Sequence, residues 1–410
     1  MKKVLYCGKL LDTVKECVLE NMAVIVDGDR VESVFPRAEY TPENGVEIVD
    51  LSDAFVLPGL IDMHVHIHCD ACTTEDLITT SVPQMTLSSL RYSRQDMLCG
   101  FTTLRNEYTP YFVDVAVRDS IDSGRFWGPR IFACGIGITG TGGHADAKYA
   151  YQFEDVPGGG AVVNSADEAR KAGRLMLKYG ATHFKMCATG GVTSPGDDPG
   201  AQELTYEEMR AYCEIAQFAG VPVSAHAHGS KGIQDALRAG ATFIEHATMA
   251  DDETLTMMKE YGAYYCPTLL PFRLIGEMDL PEWMKAKYHS CGGAARHRDV
   301  VRKAKALGIP IIFGADRGCP GIAPGSQFRE FDELVTAGLT HMEAILSATR
   351  TAAEALKMDT KLGAISSGMY ADIVACKRDP LQDITALHEI DFVMKGGDIF
   401  KRNGVAQCMM

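Results

Sequence analysis

Short apolar runs broken by turn residues open the chain: VLYCGKLLD, NMAVIVDGDRVESVFP and VEIVDLSDAFVLPG, with Asp27-Gly28-Asp29 between runs. This is the pattern of alternating strands, and no helix of useful length is predicted over residues 1–58. The same texture returns over 361–410, in ADIVACKRDP and DFVMKGGDIFKRN, so both ends are expected to share one small β-sandwich. Between them, over 59–360, eight apolar strand candidates alternate with helical stretches: LIDMHVH, FTTLRNE, RIFACGIGI, THFKM, VPVSAH, TFIEH, AYYCPTL and IPIIFGAD. Intervening segments such as SADEARKAGRLMLKYGA and TYEEMRAYCEIAQFAG have helical spacing and run into glycine, a common helix stop. Eight strand-helix units predict an α/β chain with a (β/α)8 barrel, whose chemistry sits at the C-terminal ends of the strands.

Composition narrows the function classes. Forty basic and 54 acidic residues give a net charge of −14, and no basic run is present. A nucleic-acid or anionic-membrane partner is therefore not expected. The opening apolar stretch is interrupted by Cys7, Gly8, Lys9 and Asp12, too early for a signal peptide or a membrane span, which predicts a cytoplasmic protein. The thirteen cysteines are expected to be reduced, mostly buried thiols.

The strand ends carry the chemistry. His64 and His66 lie two apart on strand one, so they share a face and could grip one ion; as a pair alone they could equally be core or surface histidines. On strand four, Phe184 and Met186 facing the helices would turn Lys185 into the barrel, where an isolated ammonium is expensive. Either a salt bridge or carboxylation to a metal-bridging carbamate would solve that problem. His226, His246 and Asp316 end strands five, six and eight, and imidazole and carboxylate suit zinc and similar ions. Two glycines, Gly190 and Gly191, are expected to let backbone approach a ligand, and 192–202 and 318–326 to form mobile loops over the mouth.

The string PGLIDMHVH, the isolated strand-four lysine, the single strand-end histidines and GAD resemble the metal-dependent amidohydrolase superfamily. KMCATGGVTSPGDDPGAQELTYEEM, SAHAHGSKGIQDALRAGATFIEHATMADDE and TGTGGHAD resemble its prolidase-like and arginine/lysine carboxypeptidase-like branch, related to imidazolonepropionase. The resemblance implies two divalent metal ions, zinc by default. His64, His66 and Asp316 would hold one and His226 and His246 the other, with carboxylated Lys185 bridging both. It further implies hydrolysis of dipeptides or N-acyl amino acids by a bridging hydroxide, with Asp316 shuttling the proton and His144 stabilising the oxyanion. His228, Arg91 and Arg317 are the candidate contacts to the carboxylate of a small-molecule substrate, and a homo-oligomer is expected. Cyclic-amide hydrolysis and a non-catalytic metal-binding barrel are the alternatives.

Overall fold

The computed structural model describes residues 2–42, 44–69, 76, 79–148 and 159–407. Four strands open the chain: β1 (Lys3–Asp12), β2 (Cys17–Asp27), β3 (Arg30–Pro36) and β4 (Glu47–Pro58). The barrel follows with β5 (Leu60–Val65), β6 (Phe101–Asn106) and β7 (Arg130–Ala133). Two short strands come next, β8 (Ile138–Thr139) and β9 (Ala161–Val162), then β10 (Phe184–Cys187), β11 (Val223–Ala227), β12 (Phe243–His246) and β13 (Tyr264–Cys266). The chain returns to the first sheet through β14 (Ile373–Cys376), β15 (Ile390–Lys395), β16 (Asp398–Arg402) and β17 (Val405–Ala406).

Neighbouring barrel strands are parallel from β5 through β7 and from β10 through β13. Backbone bonds close the ring: Thr182 N–H donates to Ala133 O at 2.7 Å, joining the β7 and β10 edges. At the other seam Ile312 N–H donates to Tyr265 O and Met63 N–H to Phe313 O, both at 2.9 Å. The segment from Ile309 to Asp316 is thus the eighth strand, although its pairing is too irregular for a regular ladder. Helices cover the outside where expected. Ala166–Lys178 is capped by Ser165, and Tyr206–Ala219 starts with a Thr205–Glu208 capping box and ends at Gly220 with φ 70°. Phe184 packs on Tyr212 of the second of these, with ring centroids 4.7 Å apart, which fixes the outward face of β10 and turns Lys185 inward.

The terminal strands form one continuous eight-stranded sheet in the order β17-β16-β15-β14-β4-β1-β2-β3. Rather than two separate layers, it is a single sheet that curls back: Val31 N–H donates to Met369 O and Ala371 N–H to Asp29 O, bringing the far edge onto the residues that lead into β14. One apolar cluster, including Leu5, Val24, Val31, Val56, Ile373 and Phe392, fills the inside of that curl.

The sheet is tied to the barrel through Asp372. Its carboxylate accepts from Arg130 at 2.6 Å and from Gly396 N–H at 2.8 Å, and its carbonyl accepts from Gly59, the hinge into β5. Asp372→Ala is expected to lower stability by about 2–3 kcal/mol, the range for losing hydrogen bonds to a charged group. Urea unfolding checks this, and an unchanged midpoint would show that the junction depends on other contacts.

Candidate active site

The six strand-end residues converge on the barrel mouth. All six line one cavity of about 480 Å³, together with His68, His144 and His228. His64, His66 and Asp316 offer ligand atoms that all lie within 4.8 Å of one another. Asp316 Oδ1 is 3.4 Å from His64 Nε2 and 3.2 Å from His66 Nε2. Asp62, one turn of the pleat before His64, holds the two ligand-bearing strand ends together by accepting from His64 N–H at 3.0 Å and Ala315 N–H at 3.2 Å. Gly314 permits this approach, because a Cβ there would lie 2.3 Å from Cys266 Sγ and 2.8 Å from His64 Cβ.

His226 and His246 complete the cluster. Their rings are 4.6 Å apart, and His246 is 5.1 Å from His64. Each ring has one nitrogen fixed by a partner: His64 Nδ1 by Glu245 at 2.7 Å, His246 Nδ1 by Thr268 at 2.6 Å and His226 Nε2 by Gly190 O at 3.2 Å. That leaves the other nitrogen available to an ion, the arrangement that metal-binding histidines require. Burial, reinforced by neighbouring histidines, holds His226 and His246 well below the ordinary imidazole range, so both rings are neutral ligands at physiological pH. Burial works against ionising Asp316, yet His64 and His66 beside it keep its carboxyl below the usual carboxylate range. Its Oδ1 is buried without a well-formed hydrogen bond, as is His66 Nδ1. A buried carboxylate oxygen facing two imidazoles is what a divalent cation would satisfy, so the donor set fits metal.

His246, Thr268 and Asp316 share a further feature. Their φ values are 68°, 49° and 51°, the left-handed region that non-glycine residues seldom occupy. Backbone strain at three strand ends around one cavity marks a site whose surroundings over-determine it.

Lys185 is fully buried and its Nζ lies 2.9 Å from Glu107 Oε2. Desolvation opposes the ammonium, but Glu107 and Glu245 outweigh it and raise the lysine above its ordinary value. Glu107 is the partner that the sequence left unnamed. Arg105 joins the network, with Nε 3.0 Å from Glu107 and Nη2 2.6 Å from Glu245, and Ser224 Oγ contacts both carboxylates. His64, Glu245 and Cys266 also lie within ligand distance of one another. Glu245 is committed to Arg105, Ser224 and His64, however, and burial keeps the Cys266 thiol protonated, so these three form structure rather than a second centre.

His144 stacks on His226, with centroids 4.0 Å apart. Its Nδ1 is 2.7 Å from Ser194 Oγ, which donates to Asp197 Oδ2 at 2.7 Å. The serine proton is thus spent on Asp197, so Nδ1 must carry the proton in the His144–Ser194 bond. Burial lowers His144 to about 4, leaving Nε2 of the neutral ring as an acceptor. The expected oxyanion-donor role therefore requires the doubly protonated ring, for which Asp197, 4.0 Å away, is the counter-charge. His228 also lines the cavity, with Nδ1 2.9 Å from Thr248 and burial lowering it to about 3.

Several expectations are corrected. Arg317 does not reach the mouth. It is buried, its guanidinium pairs with Asp96 at 2.7 Å and donates to the carbonyls of His66 and Cys69, because the turn at Asp316 sends the next side chain outward. Arg91 lies on the outer helix Val82–Leu98, stacked near Tyr92, and does not line the cavity. The glycines make room for protein rather than ligand: a Cβ on Gly191 would lie 2.1 Å from His144 Nδ1, and one on Gly190 would strike Asp198 backbone at 2.5 Å. The 192–202 loop is tethered, with Lys287 Nζ bonded to Gly191 O, Ser194 O and Asp197 Oδ1 at 3.0, 2.6 and 2.5 Å.

Residues 55–400 match the amidohydrolase family profile. The chain belongs to the amidohydrolase family. The crystal structure of a Xaa-Pro dipeptidase with bound methionine in its active site superposes on this amidohydrolase with a TM-score of 0.90 and 34% identity, covering 98% of this chain and 100% of that one. Ochratoxinase of Aspergillus niger is 31% identical over 379 residues, 85% of this chain and 76% of its own. Imidazolonepropionase of Pseudomonas aeruginosa is 24% identical over 432 residues, 95% and 93% of the two chains.

Two arginines test this description. Arg317→Met should destabilise the amidohydrolase by about 3–5 kcal/mol, the cost of leaving Asp96 buried and unpaired. Arg91→Ala should stay within about 0.5 kcal/mol of the parent. Equal effects in denaturant titrations would mean that Arg317 is not held as described.

Proposed function

We propose that this amidohydrolase cleaves the amide bond of dipeptides or N-acyl amino acids with a free C-terminal carboxylate, of the Xaa-Pro or Xaa-Arg/Lys type. The observation that carries the reading is the convergence of His64, His66 and Asp316, with His226 and His246 beside them, at the mouth of a barrel whose family hydrolyses carbon–nitrogen bonds. The similarity of the whole chain to a Xaa-Pro dipeptidase supports the substrate class.

His64, His66 and Asp316 would hold one divalent ion, zinc by default, and His226 and His246 a second. Lys185 would serve both as a carbamate, which requires it to give up its ion pair with Glu107 and react as the free amine with carbon dioxide. Such ions, when bound, lower the pKa of water to furnish a nucleophile near neutral pH and polarise the scissile carbonyl. The protein's own groups manage the protons. Asp316, kept ionised by the two imidazoles, takes a proton from the attacking water and returns it to the departing amine. His144, when it carries a proton on Nε2, donates to the developing oxyanion, with Asp197 stabilising the charged ring through Ser194. His228, its Nδ1 anchored by Thr248, presents Nε2 to the substrate. The free thiols at Cys7, Cys134, Cys187 and elsewhere suit work in the reducing cytoplasm.

Purified protein, expressed with zinc and bicarbonate, is expected to bind about two divalent ions per chain, and Lys185→Ala to lose metal and activity together. Elemental analysis giving well below one ion per chain would contradict the proposal. Asp316→Asn should retain substantial metal while kcat falls about 100- to 10,000-fold; near-parental kcat would assign the proton transfer elsewhere. A screen of Xaa-Pro, Xaa-Arg, Xaa-Lys and N-acyl amino acids should show the free acids cleaved at least ~100-fold more efficiently in kcat/KM than the same compounds amidated. Equal turnover of acid and amide would instead favour cyclic-amide chemistry, to which the likeness to imidazolonepropionase also points.

A further inference from the structure

The cavity is chemically two-sided. Besides the histidines, Lys185 and Asp316, the cavity has an apolar wall made by Val192, Phe272, Ile275, Leu280, Trp283 and Met284, with the Phe272 ring centroid 6.2 Å from that of His228. Val192, Phe272, Ile275 and Met284 are buried in one apolar cluster, with Leu280 packed against it. They come from four places in the chain: the loop after β10, the helix Leu269–Glu277, the connection at Leu280, and the start of the helix Glu282–Ser290. The cations of those helices do not line the cavity and are engaged elsewhere, Arg273 with Glu277 and Glu333, Lys285 with Asp279 and Glu282, and Lys287 with Asp197. Apolar lining on this side is therefore a property of the whole wall.

Among the described residues, the carboxylates that line the cavity are those of Asp146 and Asp316. Asp316 faces His64 and His66, and Asp146 accepts from Gly142 N–H at 2.8 Å. A cationic side chain laid on the apolar wall would lose its water, which is unfavourable, and the described residues of that wall offer it no counter-charge.

A cation also lines this cavity. Lys148 lines the cavity and is exposed, and its Nζ sits over Gly196, where a Cβ would come within 2.6 Å of it. Gly196 belongs to the same tethered loop as Val192, and Lys148 and Val192 line the same cavity. Lys185 and Lys287 are occupied by Glu107 and Asp197. Among the described residues no carboxylate forms an ion pair with Lys148.

We propose that these features form a paired subsite that selects amides of large apolar amino acids, the side chain lying on the Phe272–Ile275–Met284 wall and the free carboxylate meeting Lys148. This rests on the amide-hydrolase reading and narrows it, away from arginine and lysine side chains and toward aromatic and long aliphatic ones.

Calorimetric binding of L-methionine, L-phenylalanine, L-lysine and L-methioninamide to the metal-loaded protein tests the subsite, alongside kcat/KM for the N-acetyl derivatives of the three acids. Methionine and phenylalanine are expected to bind at least ~10-fold more tightly than lysine. Leu280→Glu, at the half-buried rim, should reduce that ratio to below about threefold, and Trp283→Glu, at a side chain 39% exposed, provides the same test should the first variant not fold. Lys148→Met should abolish the preference for methionine over methioninamide while keeping methionine ahead of lysine. Lysine binding within threefold of methionine, or an acid preference that survives Lys148→Met, would overturn the proposal. If the binding order holds while none of the N-acetyl compounds is cleaved, the subsite stands and the hydrolase reading fails.

Discussion

Two cations and two carboxylates lie fully buried beneath the histidines: Arg105 and Lys185 against Glu107 and Glu245. None of the four could be there alone, since an unpaired charge in a barrel interior would neutralise or unfold its surroundings. Together they are electrically balanced, and burial's penalty on Glu107 is outweighed by Arg105 and Lys185, which hold it well below the ordinary carboxylate range. The network also aims the site. Glu245 reaches up to His64 Nδ1, so the orientation of a candidate metal ligand on β5 is set by a carboxylate on β12, itself fixed by an arginine on β6. Side chains from four strands are thereby locked to one another before any ion arrives.

This has a chemical consequence. The Glu107–Lys185 ion pair protects an ammonium, and an ammonium can neither ligate a metal nor react with carbon dioxide. Conversion of Lys185 would transfer its charge balance from Glu107 to incoming ions, coupling metal uptake to a rearrangement under the site. At the mouth, strain and tethering act in the same sense: the left-handed backbone at His246, Thr268 and Asp316 and the Lys287–Asp197–Ser194 chain behind His144 hold groups in place that free loops would let wander.

The strand-end histidines, Lys185 and Asp316 were legible in the sequence because each interrupts or ends an apolar run, and the two-residue alternation of a strand says which way it points. The barrel order was legible for the same reason. Glu107, Glu245 and Arg105 were not, although FTTLRNE and TFIEH display them, because a charge inside a strand acquires meaning only from a partner far away in the chain; Arg105 and Glu245 are separated by 140 positions. Arg317 misled for a local reason. It follows Asp316 directly, and because Asp316 faces the cavity the next side chain runs the other way, to Asp96 on the helix Val82–Leu98. Lys148 and the apolar wall escaped notice because cavity lining is assembled from loops and helix starts, which carry no periodic signal.

The account turns on whether Lys185 leaves Glu107 to join a metal centre. A crystal structure of the zinc- and bicarbonate-treated protein, with anomalous data collected on both sides of the zinc edge, tests this directly. The account predicts one anomalous peak among His64, His66 and Asp316, a second beside His226 and His246, and added density on Lys185 Nζ reaching both. Absence of zinc from these positions, with Lys185 still paired to Glu107 as an unmodified ammonium, would contradict it.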